Sequence, residues 1–257
     1  SQIQMKNPNM STFPTKSVLL AVMPKVPALL SILGSVAILQ HVVRNPKSNN
    51  VHGRIMFGLS LCDILASAAY LAGTWAIPTG TLSSFGDMET EKIFWATGNN
   101  MTCNIAGFFN QFAVASPLYN ATLAMYFLQK ICYEWTNFEK IQWIFHAIPI
   151  GYAIITSIIA AYFDMYGHVD WTCWIVPRSI RDSSITPTVA QNNFKYFHWF
   201  FLFGPVWICI AWVTFVMIML YKKVKEGDKA VAKYRHVETA QTNTNNQSTR
   251  NKNIDIE

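Results

Sequence analysis

A chain of 257 residues with 51% hydrophobic and 13% charged residues falls well short of the roughly 25% charge of a soluble globular domain. Its formal charge is +6, yet eight of its 20 Lys and Arg follow Tyr221, so no nucleic-acid partner is expected. The apolar residues lie in long blocks, which bounds the class to all-α integral membrane protein.

In chain order, residues 1–16 form a short segment ahead of the first apolar block. The sequence opens on Ser1 with no basic stretch before a short apolar core. A processed chain or a partial gene model is therefore expected, without a cleaved signal peptide. Five blocks then reach the ~20 residues that a helix needs to cross the hydrocarbon. They lie near 17–43, 55–78, 104–131, 141–163 and 197–221. Prolines 24, 27, 149 and 205 fall inside them, which membrane bundles tolerate because neighbours re-satisfy the freed carbonyls. Residues 226–257 form a tail, and from Glu238 it is polar enough to be disordered.

The loops alternate in charge. The first carries Arg44, Lys47 and Arg54, the third is flanked by Lys130 and Lys140, and the tail carries eight more. The second is acidic (Asp87, Glu89, Glu91 against Lys92), and the fourth holds Arg178, Arg181 and Lys195. Counted by side, 13 basic residues oppose six, which puts the N-terminus outside and the tail in the cytosol. A multi-pass protein of the plasma membrane is expected, with lipid as its immediate partner. Sequons at Asn9 and Asn100 fall on the outer side and are candidate glycosylation sites. Those at Asn120 and Asn246 fall within a helix and in the tail.

Five cysteines stand at 62, 103, 132, 173 and 209, with no C-x-x-C pair, and the six histidines are scattered. No metal site or cofactor is expected. Metalloprotease, P-loop and nucleophile-elbow motifs do not occur, so no catalytic residue is assigned and an enzyme is not expected. Cys103 and Cys173 share the outer, oxidising side and either form a bridge over the bundle mouth or remain two thiols.

Asp63 is the one acid deep inside an apolar span and should face the bundle interior, as a functional group or as a hydrogen-bonded structural one. In the third block Asn104, Gln111, Tyr119 and Thr122 fall within about 80° of one another at 100° per residue. With Asp63, the residues Gln111, Tyr119 and Thr122 are the candidates for an intramembrane polar network, Tyr119 and Thr122 chiefly as interhelical glue. Asn104 and Gln111, with Trp174 and His198, are the candidates for a ligand pocket at the outer mouth. Lys25 lies near the outer end of the first block, where it can snorkel to the boundary.

These features resemble the G-protein-coupled receptor superfamily, closest to the branch of secretin-like and slime-mould cyclic-AMP-type receptors. Leu59-Ser60-Leu61-Cys62-Asp63-Ile64-Leu65 looks like the L-S-x-x-D-x-L of receptor helix two. The stretch from Cys103 to Phe112 resembles the C-x-x-x-G-F-F-x-Q-F start of helix three. Cys173-Trp174 resembles the C-W pair of the second extracellular loop, and Pro205 falls where the fifth helix commonly carries a proline. The resemblance covers residues 17–225 and implies a receptor-type bundle, a Cys103–Cys173 bridge, an extracellular ligand and a heterotrimeric G protein inside. Two departures stand out. Phe127-Leu128-Gln129-Lys130 replaces the D-R-Y triplet, and helices six and seven are missing, so a truncated seven-helix chain that does not couple normally is expected. The alternatives are a five-span transporter or channel subunit and a non-signalling receptor partner.

Overall fold

The protein is described here from a computed structural model covering residues 15–45, 50–83, 92–135, 137–169, 171–176 and 194–254. Asn9, the acids of the second loop and Arg178 and Arg181 lie outside the described residues.

The first apolar block forms two helices, α1 (Thr15–Val22) and α2 (Lys25–Arg44), broken at Met23-Pro24. Pro24 has no N–H to continue the ladder. Asn50 starts α3 (Val51–Ala72), its side chain accepting from the Gly53 N–H at 2.8 Å and so filling one of the orphan donors of a helix start. A 3₁₀ turn extends α3 over Gly73–Ala76. The third block begins at α4 (Asn100–Asn110) with a capping box, in which Asn99 and Thr102 exchange side-chain and backbone hydrogen bonds. A 3₁₀ segment at Gln111–Val114 joins it to α5 (Ala115–Cys132). Then come α6 (Gln142–Tyr162), an antiparallel hairpin of β1 (Tyr166–Val169) and β2 (Thr172–Ile175), and α7 (Phe194–His198). A π-helical turn over Trp199–Phe203 leads into α8 (Gly204–Ile254).

Among the described residues, four helices are long and apolar enough to cross a membrane: Val18–Arg44, Val51–Ala76, Gln142–Tyr162 and Tyr196–Lys229. Their burial is the reverse of a soluble protein's. In α2 the buried residues are Ala28 and Ser35, whereas Leu29, Leu30 and Leu33 are about half exposed or more. Apolar surface of that extent, on a helix whose backbone is internally bonded, fits lipid. This is a multi-pass helical membrane protein. The expected span at 104–131 is helical but is divided by the 3₁₀ segment and carries Asn110, Gln111, Ser116, Asn120 and Thr122, so its composition alone does not mark a span.

The chain divides into two units. In the larger, residues 1–123 with 137–210, α2 packs along α3 and Ser67 donates to Ser31 at 2.9 Å between them. One cluster (Ala76, Ile77, Ile93, Cys103, Ala106, Cys173) and a second (Ala160, Met165, Tyr166, Ile175, Phe201) gather at the end where the hairpin lies. The smaller unit, residues 124–136 with 211–257, is built on Ala124, Leu128 and Val216, with Trp212 and Leu220 against them. Here α8 continues to Ile254, across the polar stretch from Glu238 expected to be disordered. Residues 238–254 contain no Pro or Gly, so nothing in them breaks the helical geometry of the preceding span.

Candidate ligand-facing site at the hairpin end

The site is built around a break in a helix. Pro205 lacks the N–H that would bond the carbonyl of residue 201, four positions back. The Gly204 N–H bonds Trp199 O instead, closing a π-type turn. Two carbonyls are thereby released, one buried and one exposed, and both find side-chain donors. Gln111 Nε2 donates to Phe201 O at 3.0 Å, and the Tyr152 hydroxyl of α6 donates to Phe200 O.

Gln111 is 1% exposed and uses both ends of its amide. Its nitrogen also reaches Thr156 Oγ1 at 3.2 Å, while that hydroxyl's single proton is shared between Tyr152 O at 2.9 Å and Ala153 O at 3.2 Å. The Trp174 indole N–H donates to Gln111 Oε1 at 3.0 Å. Because an indole N–H can only donate, it fixes which end of the amide faces it. Trp174 stacks on His198, ring centroids 4.7 Å apart and 14° from parallel, and His198 Nε2 bonds Ile175 O at 2.8 Å. One residue from the helix segment, one from the hairpin and one from α7 thus form a single joined cluster.

The hairpin is held over it. Tyr166 pairs with Ile175 and His168 with Cys173 in the register, and Cys173 is bonded to Cys103 with Cα atoms 5.3 Å apart. Asn110, 2% exposed, adds two donor contacts, to Thr172 Oγ1 at 2.8 Å and Cys173 O at 2.7 Å. Gly107 is required for this closure: a Cβ there would lie 2.6 Å from the Tyr166 ring. The Tyr166 hydroxyl donates to Ser157 O at 3.0 Å, and burial pushes its phenol well above the usual tyrosine range, so it stays neutral at physiological pH.

Of the expected pocket residues, Gln111, Trp174 and His198 come together, whereas Asn104 lines a separate cavity with Phe108, Phe109, Asp164 and Tyr166. The expected polar network resolves into separate nodes. Asp63 is half-buried and accepts a hydrogen bond from Ser116. The Tyr119 hydroxyl meets His146 Nδ1 at 3.1 Å, while Thr122 donates to Tyr119 O at 2.8 Å within its own helix and bridges nothing through that bond. A hydroxyl three residues on from a carbonyl reaches it more readily than it reaches a neighbouring helix. Asn100 is exposed at the first turn of α4. Lys25 caps the carbonyl end of α3 through Leu71 O at 2.8 Å and Ala72 O at 3.2 Å, its ammonium 3.9 Å from the centroid of the Trp75 ring. A cation there complements the negative end of the helix dipole.

Sequence reasoning did not single out Asn110, Thr156 or Ser116. All three are small polar residues in apolar stretches, and such residues are equally at home as mild helix neighbours. Comparison of the sequence with protein-family models and with curated proteins finds no match.

Proposed function

We propose that this chain is a G-protein-coupled-receptor-like transmembrane protein that receives an extracellular ligand at the hairpin end. In this reading the helical run 100–132 is a fifth span, the N-terminus and the hairpin face outward, and the basic tail lies in the cytosol, where a heterotrimeric G protein is the partner of the resembling family. The observation that carries the reading is the disulfide-tethered hairpin, which lays Trp174 over Gln111 and His198. A polar cluster roofed by a covalently anchored flap suits a ligand arriving from the aqueous side. Hydrophobic and aromatic walls with few convergent polar groups are the usual make-up of such sites. Asn100, exposed at the same end, is the glycosylation candidate in this orientation.

The orientation is tested on intact cells. Tyr196, 61% exposed at the hairpin end of the last span, is replaced in a Tyr196→Cys variant and treated with a membrane-impermeant maleimide, with the unsubstituted chain as blank. Labelling before permeabilisation, with a C-terminal epitope reached only afterwards, is the expected result. The reverse pattern overturns the proposal.

A further inference from the structure

At the end of the α2–α3 pair away from the hairpin, an open cleft of about 500 Å³ lies between the two helices. That is within the ~300–1,000 Å³ range of ligand sites. Just past its C-terminus, α3 joins the hairpin cluster through Ala76 and Ile77. Its 22 residues at 1.5 Å each put its N-terminus about 33 Å away, at the other boundary of the span. The cleft is there, where α2 ends at Arg44 and α3 begins at Val51, at the depth of lipid headgroups.

Its lining is divided. Ala37, Ile38 and Met56 make an apolar wall, and His41, His52 and Asn50 a polar one. Each of those polar side chains carries an N–H donor, and no lining residue is acidic. Two imidazoles without a thiolate or carboxylate fall short of a metal's usual ligand set, and among the described residues no group of three or more His, Cys, Asp or Glu gathers. The surrounding charge has one sign. Residues 41–54 contain His41, Arg44, Lys47, His52 and Arg54, and no acid precedes Asp63 in the chain. At 100° per residue Ala37, His41 and Arg44 fall within about 60° of one another, so Arg44 stands one turn beyond His41 on the cleft's side of α2. Arg54 instead donates to Gln142 of α6 at 2.7 Å. The helix dipoles offset each other here, α2 presenting its negative end and α3 its positive one, so the side chains set the sign.

An apolar wall, a group of N–H donors and positive charge meet in one cleft at headgroup depth. We propose that this cleft binds an anionic phospholipid, its phosphate against His41, His52 and Asn50 and one acyl chain along Ala37, Ile38 and Met56. Arg44 supplies the charge at the headgroup. The site stands whether or not the chain is a receptor; in the orientation proposed above, this end lies in the cytosolic leaflet, which is the anionic one.

The full chain in a sugar-based detergent is incubated with phosphatidylglycerol and phosphatidylcholine of the same acyl chains, and native mass spectrometry counts the bound lipid. One phosphatidylglycerol should be retained in preference to phosphatidylcholine. Arg44→Gln should weaken that retention about fivefold and leave phosphatidylcholine adducts unchanged. Lys223→Gln removes the same charge from the smaller unit and should change neither. Ala37 is exposed, so Ala37→Phe fills the cleft without displacing packed atoms. It should abolish the retained lipid and melt as the unsubstituted chain does. Equal retention of the two lipids, the same result for Arg44→Gln and Lys223→Gln, or full retention in Ala37→Phe overturns the proposal. So does displacement of the lipid by an equal concentration of glycerol 3-phosphate, which would assign the cleft to a soluble phosphate.

Discussion

Gly58 shows how little room the helix contacts leave. A Cβ at this position of α3 would lie 2.4 Å from the Tyr119 hydroxyl and 2.9 Å from His146 Nδ1, inside the 3.1 Å hydrogen bond that links α5 to α6. Gly58→Ala should therefore force both side chains away and cost about 1–3 kcal/mol, as overpacking does. Tyr119→Phe removes only the bond and should cost about 0.6 kcal/mol, the average for interhelical hydrogen bonds in membranes. Thermal melts of both variants in detergent check the order, and a Gly58→Ala chain as stable as Tyr119→Phe would refute it. Asp63 lends itself to a similar comparison, since Asp63→Asn can still accept from Ser116. It should melt within about 0.5 kcal/mol of the unsubstituted chain, whereas Asp63→Leu strands the serine hydroxyl. Equal losses for the two would show that charge rather than the hydrogen bond matters.

At this scale the sequence was partly readable. A glutamine in an apolar helix must find partners because lipid offers none, which singled out Gln111. It could not say which partners, because Phe201 and Trp174 lie 90 and 63 residues away. Asn110 is one position off the stripe and faces the hairpin, so the helical period that revealed Gln111 concealed its neighbour.

Among the elements, the π turn before α8 and the disulfide-tethered hairpin set the geometry of the site. Pro205→Ala restores an N–H that can bond Phe201 O within the helix. If the Gln111 contact exists because of that proline, the two positions are coupled. Gln111→Leu should cost about 1–3 kcal/mol in the native background, where it orphans a carbonyl and an indole N–H, and measurably less beside Pro205→Ala. A double-mutant cycle by thermal melting reads this coupling, and additive losses would rule it out. The hairpin is tethered across 70 residues of sequence, a separation for which loop closure gives about 4.4 kcal/mol, of which disulfides typically deliver about 2–4 kcal/mol. Reduction, or Cys103→Ser, should lower the melting transition by that amount, and an unchanged melt would remove the tether from the account.

The spans were the most readable elements, because about 20 apolar residues are needed whatever the neighbours are. The proline in the last block was visible too, but not the π turn that accommodates it, which depends on donors from two other segments. The hairpin was not foreseen. Its strands are four residues each, and their pairing owes more to Cys173 and Asn110 than to any alternating pattern.

At the scale of the molecule, hydropathy alone carries four spans among the described residues, and the fifth expected one is the most polar of the set. Much of that polarity is turned inward. Gln111, Tyr119 and Asn110 are each buried to 2% exposure or less, and a stretch that turns polar groups inward is apolar only on its remaining face. One arrangement therefore sets the hairpin end of this membrane protein: a hairpin covalently tied to the start of α4, proposed to face outward. Non-reducing peptide mapping of the chain, taken from membranes of intact cells and alkylated before lysis, tests it most directly. A cross-linked peptide pair containing Cys103 and Cys173, with Cys62, Cys132 and Cys209 as thiols, is the result predicted. Recovery of Cys103 and Cys173 both alkylated would contradict the tethered hairpin and the proposed outward orientation together.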